Sequence, residues 1–165
     1  MTSHDLFAMM SPELATDILE FTFSTEKNLY RAALEAVAQS RKVRPVFLER
    51  QPRTARYATM AATLARPGLD AAADNLIRAW LLKKQNGMLV DFLNVLQIPH
   101  ENGVVEDLPP TVDDALLQQA VDSLLGKYPA EAVTLYLHAF NQMNNAQWAN
   151  LEEMLYTQAS LKLGK

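Results

Sequence analysis

Apolar residues recur along this chain with the three-to-four-residue spacing of helices, and almost nowhere do they alternate with polar ones over five or more positions. A sheet needs that alternation, so the pattern predicts an all-α fold. Punctuation divides it into about nine to ten helices. Ser11-Pro12-Glu13 supplies a cap residue, a proline at the first helical position and an acid in the first turn. Ser24 or Thr25 caps a helix to about Ser40, Pro45 opens a short one to about Gln51, and Pro52 opens an alanine-rich one to about Ala65. Beyond Pro67-Gly68 a helix is expected from Asp70 to Lys84, and another from Met88 to Gln97. Thr111 with Asp113 and Asp114 starts a helix ending at Gly126, Pro129 introduces one reaching Met143, and the last runs from about Asn145 to Gln158. Residues 98–112, with Pro99, Gly103, Pro109 and Pro110, form the one long stretch without a helical period.

A chain of 165 residues with this pattern is expected to form one multi-helix bundle over residues 1–165. Basic turns at Arg41–Pro45, Lys83–Gly87 and Gly126–Pro129 recur at a spacing of about 42 residues, which fits either a solenoid-like helix-hairpin repeat or the ordinary placement of cations at helix C-termini. Two helices are apolar nearly all round: Met88, Leu89, Val90, Phe92, Leu93, Val95 and Leu96 in one, and Ala132, Val133, Leu135, Tyr136, Leu137, Ala139, Phe140 and Met143 in the other. A helix without a polar face is covered by its neighbours, so these two are expected at the centre. The C-terminal stripe of Trp148, Leu151, Met154 and Leu155 either closes the core or docks a partner helix.

The run Val90-Asp91-Phe92-Leu93, then Ile98-Pro99-His100-Glu101-Asn102-Gly103 and Asp107-Leu108-Pro109, resembles an all-helical bacterial family with no assigned function. The resemblance spans about a third of the chain. It implies a helical fold and no particular activity.

Several chemistries are excluded at once. The chain has no Cys, and so no disulfide framework, thiolate zinc site, iron–sulfur cluster or cysteine nucleophile. Neither a nucleophile elbow nor a phosphate loop occurs, and no His-Glu-x-x-His or Glu-x-x-His pair places metal ligands on one helix face. No catalytic set, metal site or cofactor is assigned. Met1–Met10 lacks the basic start and apolar run of a secretory signal, and no stretch approaches the roughly 20 apolar residues of a membrane span. A cytoplasmic protein with no membrane contact is expected.

The densest set of titratable residues is His100-Glu101 with Glu106-Asp107 and Asp113-Asp114, in and beside the irregular stretch. These residues either hold a ligand or ion or simply form a crossover, with Asp113 and Asp114 suited to a helix N-terminus. Asp91 and His138 are the polar residues on the two apolar helices, and each is either satisfied locally or a pKa-shifted functional group.

Charge is the stronger signal. Between Arg41 and Arg66 seven cations face Glu49 alone, a local +6 in a chain of net charge −4, whereas from Glu101 onward nine acids face three lysines. Arg53 and Arg56 follow Pro52, where a helix dipole disfavours cations by roughly 0.3–1 kcal/mol each. With Arg50 converging and Tyr57 stacking, that helix start could hold an anion. Alternatively, acids of the same chain neutralise the arginines. The chain is therefore read as a soluble, non-enzymatic helical module that binds another protein or a second copy through Arg41, Arg44, Arg50, Arg53 and Arg56. The rival reading is a small-anion or metal-assisted ligand binder or enzyme using Asp91, His100 and Glu101. Weak nucleic-acid binding comes third, because the basic segment carries few residues for stacking bases.

Overall fold

The computed structural model describes residues 1–143 and 146–164, with only the backbone of Met143. The expected helix start at Asn145 and the Met143 side chain lie outside the described residues. Among those residues the fold is all-α, with ten helices and one isolated two-residue bridge. The helices are α1 (Ser3–Met9), α2 (Pro12–Thr25), α3 (Lys27–Ser40), α4 (Pro45–Glu49), α5 (Arg53–Leu64) and α6 (Asp70–Ala79), then α7 (Asn86–Val95), α8 (Asp114–Leu125), α9 (Ala130–Met143) and α10 (Ala149–Thr157). A π-helical turn, Trp80–Lys84, continues α6. No described helix is long and apolar enough to cross a membrane.

The helices gather into two compact units, Met1–Trp80 and Leu81–Leu163. In the first, α2 packs on α3 and α5, α3 packs on α6, and α1 lies against α5 and α6. Its core comes from residues at helical spacing, including Ile18 and Leu19, Val37 and Ala38, Met60 and Leu64, and Leu76 and Ile77, all fully buried. The buried Trp80 indole is satisfied by Asp17, whose Oδ2 accepts from Nε1 at 2.9 Å.

The second unit runs α7 to α8 to α9 to α10 by successive packing. The two apolar helices of the sequence, α7 and α9, meet in its core: the Phe92 ring lies edge-on to Tyr136 at 5.4 Å and to Phe140 at 5.3 Å. Trp148 closes this cluster at 5.1 Å from Phe140, and its Nε1 donates to the Pro109 carbonyl at 2.9 Å, which ties down the irregular stretch. The C-terminal stripe therefore serves the core through Trp148 and Leu151, both buried. The apolar helices centre this unit only, since the first has a core of its own.

Helix starts follow the sequence signals where a side chain can cap. Ser11 Oγ accepts from the Leu14 amide at 3.1 Å, and Asp113 Oδ2 accepts from the Leu116 amide at 3.1 Å. The start expected at Ser24 or Thr25 moves to Glu26, because the Thr25 hydroxyl instead donates back to the Phe21 carbonyl at 2.7 Å and prolongs α2. The three basic turns share charge and not geometry. The first has Lys42 at φ 58°, the second is the π-helical turn, and the third joins α8 to α9 without a positive φ. They do not show a repeat.

Candidate functional site

In the first unit the basic segment divides into an exposed face and a buried cation. The face is the loop and short helix over 41–50. Arg41 Nη1 donates to the Thr63 hydroxyl at 3.3 Å, while the Arg44 and Arg50 side chains are exposed with no hydrogen bond or ion pair among the described residues. Between them Pro45 sets α4 so that Leu48 alone is buried, leaving Val46 at 44% and Phe47 at 58% exposure. Two adjacent large apolar side chains thus stand exposed between two arginines whose side chains have no partner among the described residues.

Arg53 and Arg56 do not converge with Arg50 at the start of α5. Arg53 pairs with Glu20 of α2 at 3.1 Å and lies 4.6 Å over the Phe23 ring. This half-exposed pair offsets the adverse dipole at low energy, of order 0–1 kcal/mol. Tyr57 is not free to stack: its ring is buried and its hydroxyl donates to the same Glu20 at 2.6 Å. Burial, and then the Glu20 carboxylate, push the Tyr57 pKa up. With Arg53 paired and Arg56 buried, the basic residues do not make the uninterrupted stripe that nucleic-acid binding requires.

Arg56 turns inward because its position belongs to the buried stripe of α5, with Tyr57, Met60, Thr63 and Leu64. It is only 9% exposed. Its guanidinium sits among three rings, 5.4 Å from Phe23, 6.0 Å from Tyr30 and 5.8 Å from Tyr57. Its single hydrogen bond goes from Nη1 to the Glu49 carbonyl at 3.2 Å, and Nε is buried without a partner. No carboxylate pairs with it among the described residues. The Tyr30 hydroxyl is likewise buried without a partner, and burial raises its pKa while the Arg56 charge pulls the other way. Both residues line a cleft of about 480 Å³, together with Phe23, Ser24, Lys27, Arg31, Leu34 and Glu49. An isolated buried cation is costly, and rings compensate only part of its lost hydration.

The rival residues lie in the second unit and engage different partners. Asp91 accepts from Lys127 Nζ at 2.8 Å and from the Tyr128 hydroxyl at 2.6 Å, which hold its carboxyl below the usual range. His100 accepts the Gly103 amide on Nδ1 at 3.0 Å, so its Nε2 carries the hydrogen donated to Asn94 Oδ1 at 2.8 Å. Both ring nitrogens are thus committed locally. Glu101 is exposed and forms the bridge with Val104 through its backbone. His138 is partly buried, and burial pushes its pKa down to about 4. Among the described residues no group of three or more His, Asp or Glu is placed to hold a metal ion.

The basic set of the sequence includes Arg56 but gives no sign of Tyr30 and Phe23 as its companions. Lys27, Tyr30, Arg31 and Leu34 do share one helical face, so half of the cleft is visible as a pattern. No family model, curated protein or solved structure matches the chain, and its site stands on geometry alone.

Proposed function

We propose that the chain is a helical binding module whose first unit takes an acidic, partly apolar segment of another protein on the 41–50 face. The observation that carries this reading is Phe47 at 58% exposure between two arginines whose side chains have no partner among the described residues. An exposed aromatic with flanking guanidinium groups is the composition of interface hot spots. Unpaired cations would supply steering and register rather than bulk affinity.

Fluorescence anisotropy with labelled twelve-residue peptides alternating Glu with Leu or Phe tests it, beside the same peptides with Lys for Glu. The acidic peptides are expected to bind and the basic ones not. Phe47→Ser and the double change Arg44→Ala/Arg50→Ala should each weaken binding about fivefold or more. Raising salt from about 50 to 200 mM should weaken wild-type binding and affect the double variant little. Absence of peptide binding, with a concentration-dependent dimer in sedimentation that Phe47→Ser abolishes, would move the reading to self-association. Absence of both would remove it.

A further inference from the structure

We infer that the cleft between α2, α3 and α5 is a binding site for a small organic carboxylate with an apolar body, held by Arg56 and Tyr30. Arg56 Nη1 is occupied by the Glu49 carbonyl, and on the edge formed by Nε and Nη2 the Nε is buried without a partner. That edge matches the two oxygens of a carboxylate side by side. The Tyr30 hydroxyl, also buried and unpartnered, supplies a third donor on the same cleft. Two buried polar groups left unmade side by side are each costly, and one ligand group satisfies both.

Charge selects the valence. One buried cation with no counter-ion is balanced by one negative charge. A phosphate dianion would need a second buried cation, whereas the other charged residues of the cleft, Lys27, Arg31 and the acidic Glu49, are all exposed. The two cations raise the local concentration of anions without being desolvated. Phe23 and Leu34 furnish apolar wall, and a volume of about 480 Å³ lies in the range of small-molecule sites. The ligand is thus a carboxylate attached to an aromatic or branched aliphatic group. The cleft adjoins the 41–50 face through Glu49 but uses other groups, since neither Phe47, Arg44 nor Arg50 lines it.

The test uses the full chain and three probes: phenylacetate, its neutral isostere phenylacetamide, and inorganic phosphate. Titrations are followed by calorimetry and by the Arg56 Nε–H resonance in nitrogen-edited NMR. Phenylacetate is expected to shift that resonance and to bind at least tenfold more tightly than the amide, with phosphate weaker than phenylacetate. Tyr30→Phe keeps the ring and removes only its hydroxyl, so the fold should be kept while phenylacetate affinity falls about tenfold. Arg56→Met should abolish binding. Equal binding of phenylacetate and phenylacetamide would overturn the proposal, as would phosphate binding more tightly than phenylacetate. So would a folded Tyr30→Phe variant with unchanged affinity, or no response of the Arg56 resonance to phenylacetate.

Discussion

Asp91 accepts hydrogen bonds from Lys127 and Tyr128, and the two are not of equal weight. The Lys127 side chain is 65% exposed, so Lys127→Met should barely move the unfolding midpoint, as is usual for exposed pairs. Tyr128 is partly buried and donates to a charged acceptor at 2.6 Å, so Tyr128→Phe should cost about 1–2 kcal/mol. The same hydroxyl explains a glycine. An alanine Cβ at Gly87, in the first turn of α7, would stand 3.3 Å from the Tyr128 oxygen. Helix propensity alone would gain up to about 0.5–1 kcal/mol there, but the hydroxyl cannot retreat without loosening its bond to Asp91. Gly87→Ala is therefore expected to be near neutral in the wild type and stabilising by about 0.5–1 kcal/mol in the Tyr128→Phe background. Urea unfolding of the four proteins of this cycle measures the difference. Equal increments in both backgrounds would show that the hydroxyl does not crowd the site.

At the scale of elements, caps explain which helices are legible in the sequence. Asp113 Oδ2 holds the Leu116 amide, and Asp113→Ala should destabilise the protein by about 1 kcal/mol, whereas Asp114→Ala, which leaves that cap intact, should cost less. Chemical denaturation of both variants decides this, and equal losses would mean that the cap is worth no more than the exposed bond Asp114 accepts from Asn150 at 2.8 Å. A similar signal, from which the sequence reading drew no helix, marks the N-terminus. Thr2 and Asp5 form a capping box, with the Asp5 carboxylate accepting the Thr2 amide at 2.8 Å, and α1 follows directly from it. Where no side chain caps, as at Glu26, local punctuation places the boundary only approximately, whereas Pro52 stands directly before the first residue of α5 as expected. In α5 the conflict lies between residue type and position. Position 56 lies on the stripe with Tyr57, Met60 and Leu64, although arginine as a residue type favours the surface. Position along the helix decided its burial, and three rings from α2, α3 and α5 made that burial tolerable. Their convergence joins residues far apart in sequence, which no local pattern contains.

Over the whole molecule, acids and bases are unevenly spread, but the consequence for stability runs through a few groups with displaced pKa values rather than through net charge. His138 has its pKa lowered from 6.5 to about 4 by burial. The unfolded chain therefore binds a proton that the folded chain refuses between those values, so this contribution is complete above about pH 6.5 and is lost as pH falls toward 4. For a partly buried ring the loss between pH 7 and pH 5 should be about 1–2 kcal/mol, or a fall in Tm of roughly 2–8 °C for a chain of this size. Asp5, Asp70 and Asp91 act in a separate window. Their carboxyls sit below the ordinary value of 3.8 through hydrogen bonds to Thr2, to His4, and to Lys127 and Tyr128 respectively. Their contribution is present above about pH 3.8 and disappears only as pH falls through the still lower folded values. His138→Gln should then flatten the stability curve between pH 7 and pH 5 while leaving the steeper acid limb below pH 4 in place. Thermal melts of the two proteins across that range separate the windows. A variant that kept the full slope between pH 7 and pH 5 would assign it to groups other than His138, whereas one that lost the acid limb would tie the carboxylates to the same transition.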